Sequence, residues 1–493
     1  MQVITDSQFP PGATLSARLH GLHFSAVLGA GLLLNCFLRG GHDTQRIVQI
    51  LVLLGFGVAL LFSRTALVGL SYTSRAARCS LAAFFALGAL SAVFAYAPRY
   101  AFYEVSTLLL LGVAALAVAA EIARDGSANL ERVLRVMGYV CLLYSFKTLV
   151  VYLSAFSLGA QPEALDFTPG FSNYRFFNHA QTVSLPLLAL LYVLTPKESK
   201  SRWLWLAATT MWWTLLFVTS ARGSAVGLLA GCLVVAAWRR RNALPFLKAM
   251  GISAIAGLAI YYVFFHLIPV AAGFLPFGEM QKVVERTVVA PASGRSVLWQ
   301  RAAQMVSAQP WLGAGPLHFA HVASADGNAA HPHNWALQLA SEWGIPALLC
   351  LLGAIGLGGR GLARLAPRIA PVDTRNQHIL VGLVATGAAI LIDGLLSGLI
   401  VMPQSQLMIA LYLGLTLGWS AQFRSAALGN DKVGPGMLQK GMGSLVLLCA
   451  LAGLASGAGP GIVQRLAGTG LPPDLATLNG NTHWPRLWQA GFF

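Results

Sequence analysis

Two arginines and one histidine carry polar chemistry in a chain that is otherwise apolar. Arg222 lies in "FVTSARGSAVGLLAG" (217–231), at a very short turn between two apolar stretches. A charge at membrane depth is costly, so such a residue is a functional candidate by default. The plainer alternative is an arginine that snorkels to lipid headgroups. Arg295 lies in "SGRSVLWQRAAQMVSAQPWLGAGP" (293–316). Ser293 is a good N-cap, and Leu298, Ala302 and Met305 follow at helical spacing. Pro310 and Gly313 end the pattern. Arg295 therefore falls in a first helical turn, where free backbone N–H groups already favour an anion. Its guanidinium adds a planar donor fork suited to phosphate. A solvated surface arginine is the competing reading.

His333 stands beside Asn334 in "HPHNWALQLASEWGIPALLCLL" (331–352), just ahead of a long apolar run. A neutral imidazole accepts a proton near pH 7. Asn334 can orient that imidazole or a substrate, and His331 is the nearby competitor. Two cations and one base at one membrane boundary suit a substrate with an anionic headgroup on a lipid tail. No Asp-rich pair stands ready to hold a divalent metal over a pyrophosphate. The arginines must then neutralise it, and neither a metal nor a cofactor is expected.

A second polar group is more loosely defined. "NYRFFNHAQTVSLPLLALL" (173–191) brings Arg175, Asn178, His179 and Gln181 to the outer end of another span. Lys147 and Asp393 sit within apolar spans, each either half of an ion pair or part of a polar cavity lining. Glu342 lies nine residues after His333. At about 100° per residue a continuous helix turns it to the opposite face, so it is expected to pair with another span.

The elements that must position these residues follow from composition. Charged residues make up 10% of the chain, against about 25% in soluble domains. Apolar stretches of roughly 18 or more residues recur, each able to cross a bilayer of about 30 Å. The short alternating segments of a β-barrel are absent. The expected fold is all-α: a polytopic helical integral membrane protein of about 12–13 transmembrane helices with a long periplasmic loop. Spans are expected near 21–38, 46–62, 79–97, 103–122, 137–157, 179–195, 203–219, 224–238, 246–269, 335–358, 377–400, 405–421 and 442–458.

Lys and Arg gather in alternate loops, among them Arg124, Arg132 and Arg135, then Lys197, Lys200 and Arg202, then Arg360, Arg364, Arg368 and Arg375. The positive-inside rule assigns these to the cytoplasm. It also accounts for the net charge of +16 without nucleic acid. The other loops, including the polar insertion of about 270–334, then face outward, as does the tail after about residue 459. Long loops of this kind are often functional. An amphipathic helix is expected there, on the outer membrane boundary. The six cysteines, Cys36, Cys79, Cys141, Cys232, Cys350 and Cys449, lie in or beside apolar spans and show neither metal-ligand spacing nor a disulfide framework. The first apolar stretch reads as a retained span rather than a cleaved signal peptide.

The order "TSARG", "SGRSVLW…QPWLGAGP", "HPHNWALQLASEWGIPALL" resembles the O-antigen ligase and polymerase superfamily over roughly residues 170–400. The resemblance implies residues 1–170 as N-terminal transmembrane helices, 171–421 as the catalytic membrane region with its periplasmic loop, and 422–493 as a last transmembrane helix and tail. It implies a metal-independent, inverting glycosyltransferase in the bacterial inner membrane with its active site facing the periplasm. Such an enzyme moves a glycan en bloc from undecaprenyl pyrophosphate to an acceptor hydroxyl. By motif, the family's essential arginines fall on Arg222 and Arg295 and its essential histidine on His333. Asn334, Arg175, His179, Gln181, Lys147 and Asp393 become candidate substrate-binding residues. The acceptor expected is lipid A-core, in lipopolysaccharide biosynthesis. Alternatives are a Ser or Thr of a protein such as a pilin, and a second lipid-linked repeat, as in a polymerase. A lipid-linked glycan transporter is the alternative of another class. It should carry broken or repeated helices with midplane charges, and no internal repeat is evident.

Overall fold

The computed structural model describes residues 24–38, 41–63, 65–279, 295–322, 329–425, 437–467 and 486–489. Their regular secondary structure is entirely helical, with no strand among the described residues. The helices are α1 (Phe24–Phe37), α2 (Gly41–Leu61), α3 (Thr65–Ser71), α4 (Arg75–Val93), α5 (Pro98–Asp125), α6 (Ser127–Ser157), α7 (Tyr174–Leu194), α8 (Ser201–Thr219), α9 (Arg222–Arg239), α10 (Leu244–Ile260), α11 (Arg295–Ala308), α12 (Trp335–Trp343), α13 (Ile345–Leu365), α14 (Thr374–Gly394), α15 (Pro403–Ser425) and α16 (Met437–Ala467). A π-helical turn, Tyr261–Leu267, and a last α-turn, Ile268–Ala271, prolong α10.

Among the described residues, nine helical runs are long and apolar enough to cross a membrane. The expected all-α polytopic fold is therefore the one found. The run Arg222–Ala271 holds two traversals. It folds back at Arg240, whose φ is +42°. Beyond α10, the Glu279 N–H donates to the Val218 carbonyl at the end of α8 (2.8 Å). So α9 leaves one end of the bundle and α10 returns to it.

The apolar content that drives these spans is not all turned inward. Leu229, Leu233, Ile255, Leu349 and Leu445 are large, apolar and exposed, as a lipid-facing surface requires. The core is built instead around α5, α7 and α14. α7 is the most enclosed span, with 89% of its apolar window buried, and it packs against α8 and α14. Its polar first turn is capped by Asn173, whose Oδ1 accepts the Arg175 N–H (3.0 Å).

Two ends of the bundle are distinguishable on α14. At its start, Glu131 on α6 pairs with both Arg135 and Arg375. At its far end lies Asp393, fully buried. The helix is 21 residues long, or about 30 Å at 1.5 Å per residue. The Arg-rich loops therefore lie a membrane thickness away from Asp393.

One expected span is divided. The stretch 335–358 is not a single helix, because α12 stops at Trp343 and α13 starts at Ile345. Gly344 between them has φ +85°. A Cβ there would lie 2.2 Å from the Trp311 carbonyl oxygen, so only glycine fits. The loop after α11 crosses this joint. Ala314 and Gly315 donate to the carbonyls of Ser341 and Glu342 (2.9 Å each), and Ile345 donates to that of Pro310 (2.9 Å).

Candidate functional site

Arg222 is set by a tight turn and a close helix pair. α8 ends at Ser220, which takes the left-handed conformation (φ +53°, ψ +47°). Ala221 then caps α9 without a side-chain hydrogen bond, and Arg222 opens the helix. Gly223, Gly227 and Gly231 form a stripe one turn apart. A Cβ on Gly227 would lie 2.8 Å from the Ala389 carbonyl oxygen, and one on Gly231 would lie 2.4 Å from that of Ala385. The small residues let α9 lie directly on the α14 backbone, the usual route to tight helix pairing in a bilayer. This contact sets Gly223 against Asp393, whose Oδ1 would be 3.0 Å from an added Cβ. Asp393 Oδ2 accepts from Thr182 of α7 (2.5 Å) and Ser224 of α9 (3.2 Å). One buried carboxylate thus ties together three helices beneath Arg222.

α11 and the turn after it position Arg295 and His333. Leu298, Ala302 and Met305 are buried, as their helical spacing predicts, and pack with Phe319 and Ala329. Arg295 is the first described residue of this helix, and the expected cap Ser293 lies outside the described residues. The Trp299 indole N–H donates to the Pro332 carbonyl (3.0 Å), which fixes the helix to the turn 329–334. That turn is buried from Ala329 to His333. His333 has φ +54°, a sparsely populated conformation for a side-chain-bearing residue. Its N–H donates to His331 Nδ1 (3.3 Å), and the two rings lie 4.2 Å apart. Asn334 caps α12, its Oδ1 accepting from Ala336 (3.1 Å) and Leu337 (3.0 Å).

These pieces meet. Burial is the main influence lowering the proton affinity of half-buried Arg295, with Arg175 and Arg222 acting the same way and Asp393 opposing them. Burial likewise holds His333 well below the usual histidine value, reinforced by Arg295, His179 and Arg175. His333 is therefore a neutral imidazole at pH 7. Among the described residues, three arginines from α7, α9 and α11 converge on one end of the bundle, with the buried carboxylate of Asp393 behind them. Guanidinium groups gathered in this way have the donor geometry that suits an anion.

The remaining candidates divide. Buried His179 joins the cluster, and its Nδ1 has no partner among the described residues. The same holds for Nε2 of His331. A buried polar atom left unpaired costs about 1–3 kcal/mol. Gln181 faces inward instead. Its Nε2 donates to the Trp212 carbonyl (2.7 Å), and its Oε1 accepts from Asn178 (2.8 Å). Lys147 is half-buried on α6, ten residues before the helix end at Ser157. That separation is about 15 Å along the axis.

Glu342 corrects an expectation. His333 precedes α12 in a turn, so no continuous helix relates the two residues. The partner of Glu342 is not on another span first of all but in the tail. Arg486 NH1 donates to its Oε1 (2.7 Å) and NH2 to its Oε2 (3.1 Å). Glu104 of α5 completes the group (3.3 Å). "PRLWQ" (485–489), an arginine between apolar residues in a polar tail, was the only local signal of this arrangement.

Fold and site together define a polytopic membrane protein with a cationic, histidine-containing site at one end of its helix bundle. Residues 200–352 match the family model for O-antigen ligase (Wzy_C). This stretch carries Arg222, Arg295 and His333. No curated protein matches the chain.

Proposed function

We propose that the chain is an O-antigen ligase-type glycosyltransferase of the bacterial inner membrane. It moves a glycan en bloc from undecaprenyl pyrophosphate to a hydroxyl of lipid A-core on the periplasmic side. The observation that carries this reading is the convergence of Arg175, Arg222 and Arg295 around a buried, neutral His333. The arginines bind the pyrophosphate at the membrane boundary while its polyprenyl tail remains in the bilayer. His179 and Asn334 lie close to the same region, and Asp393 holds α7, α9 and α14 in place. Gln181 and Lys147 act at a remove, Gln181 by bracing α7 against α8.

In the reaction the acceptor oxygen attacks the anomeric carbon in line with the bond to pyrophosphate. The new glycosidic bond forms as the old one breaks, the configuration inverts, and the pyrophosphate leaves with the bonding electrons. The arginines stabilise that developing charge, so no metal is needed. The hydroxyl proton passes to the His333 imidazole. The left-handed backbone of His333 is a strained conformation, costing about 1–3 kcal/mol, of the kind that clusters at functional sites.

The test is transfer by the purified protein in proteoliposomes with lipid-linked glycan. Lipid A-core, a Ser/Thr-bearing pilin, or no second acceptor is supplied in parallel. The expected product is glycosylated lipid A-core. Product with pilin alone or with donor alone reassigns the acceptor, and movement of intact donor between leaflets without a new product rejects the transferase. His333→Ala should lower the rate at saturating donor by about 10²–10⁴-fold, the usual worth of a positioned base, with donor affinity largely intact. Weaker donor binding at an unchanged saturated rate would make His333 a donor ligand.

A further inference from the structure

The tail segment Arg486–Gln489 is bound into the protein at the site end of the bundle. Arg486 is 1% exposed, and Leu487 and Trp488 are buried with it. The Arg486 carbonyl accepts from Arg46 NH2 (2.8 Å). Gln489 N–H donates to Asp43 Oδ1 (2.6 Å), and the same carboxylate pairs with Arg465 (2.8 Å). The Arg465 guanidinium stacks over the Trp488 ring at 4.0 Å. Four residues are thus held by α2 and α16 at once.

Within this clamp the Arg486 guanidinium points into the protein. Arg486 makes a two-pronged pair with Glu342 and reaches Glu104. Its NH1 also lies 3.4 Å from the Ala330 carbonyl. Gln338, in the amide orientation that satisfies both of its ends, accepts from both terminal nitrogens at 3.2 Å. Ala330 immediately precedes His331, and Gln338 and Glu342 lie on α12, which begins two residues after His333. Glu342 Oε1 additionally accepts the Phe319 N–H (3.0 Å), from the loop that packs on α11. Both flanks of the histidine turn therefore converge on a side chain from the far end of the sequence.

Resting on the transferase reading above, we propose that Arg486 is a positioning residue that sets the geometry of the His331–His333 turn. A buried ion group is weak evidence of stabilisation, because desolvation offsets most of its attraction. Its best-attested use is to fix one arrangement among several. Here the arrangement fixed is that of a turn whose histidine stands in a left-handed conformation. Lysine cannot replace the planar fork, since it offers a single point charge.

The experiment separates positioning from stability. Arg486→Met alone strands two buried carboxylates and lowers the unfolding temperature. The triple variant Arg486→Met, Glu104→Gln, Glu342→Gln removes every charge and keeps an acceptor for Phe319, so folding recovers. If Arg486 positions the turn, the triple variant binds donor as the wild type does, yet its rate at saturating donor stays at least about tenfold lower. Displacements near 1 Å cost up to about 10²-fold. Arg486→Lys, which retains the charge, should fold and show the same split, with a several-fold loss in saturated rate. Wild-type saturated rate in either folded variant overturns the proposal. A wild-type protein inactive with every acceptor rejects the transferase reading itself, whereas an active wild type with fully active variants rejects only the positioning role.

Discussion

Gly231→Ala tests whether the site depends on how closely α9 lies on α14. The added methyl would stand 2.4 Å from the Ala385 carbonyl oxygen and 3.4 Å from Ala389 Cβ. A carbon–oxygen contact settles at about 3.3 Å or more, so α9 must retreat by about 0.9 Å. Two energies set the effect on folding. Alanine favours a helix over glycine by about 1 kcal/mol, and overpacking costs about 1–3 kcal/mol. The net destabilisation is about 2 kcal/mol at most, and the protein stays folded. Arg222 lies nine residues up the same helix and moves with it. A 1 Å misplacement of a positioning group costs about 10²-fold in rate, or about 2.7 kcal/mol of barrier. The rate should therefore fall much more than the stability. The assay is transfer at saturating donor beside thermal unfolding, with outward-facing Leu229→Ala as the control on the same helix. Near-normal transfer in a folded Gly231→Ala variant would refute the argument that this helix contact sets the arginine.

The arginines should behave as phosphate clamps. Arg222→Ala or Arg295→Ala lowers transfer by at least about tenfold, roughly 1.4 kcal/mol, and Lys restores little because it lacks the fork; near-normal turnover in both alanine variants rejects the role. The acid limb of the pH profile should be displaced. Burial, with Arg295, holds His333 well below the usual value, so kcat/KM stays flat as the pH falls through about 6.5 and drops only further down. A bound pyrophosphate offsets the field of Arg295, so the acid limb of kcat should lie at higher pH than that of kcat/KM; coincident limbs would show that the anion does not bind beside the histidine. The linked stability has a definite sign. The folded value of His333 is depressed, so its contribution is full above about pH 6.5 and is lost as the pH falls toward the folded value. Unfolding temperature measured across that range checks it.

The sequence made some of this legible and concealed the rest, for physical reasons. The spans follow from hydropathy alone, because a bilayer demands long apolar helices. Leu298, Ala302 and Met305 betray the buried face of α11 because helical spacing is a local property. Arg222 shows itself because a charge beside apolar spans needs a reason. The Glu342–Arg486 pair could not be read in the same way, since 144 residues separate its members. The phase argument for Glu342 failed because it assumed one helix, whereas Gly344 breaks the run and His333 stands outside it. Gln181 looked available for a substrate because a polar residue at a span end invites that reading. Only the fold shows Trp212 and Asn178 occupying both ends of its amide.

The glycine stripe and the buried ion group answer a single demand. Arg175 and Arg222 both act against the charge of Arg295, and Asp393 on α14 opposes them. That repulsion acts to spread α7, α9 and α11. A framework that yielded would lose the geometry that brings the three guanidinium groups together. Interiors of packed helices resist such spreading because they are as dense as organic crystals, and here the resistance is concentrated at particular contacts. Gly227 and Gly231 put α9 in backbone contact with α14. Thr182 and Ser224 bind α7 and α9 to the same carboxylate. Arg486 fixes α12 and the histidine turn from behind. The mutual repulsion of the arginines is thus borne by helix contacts away from the cluster, which is why substitutions such as Gly231→Ala should impair transfer while leaving every charged residue in place.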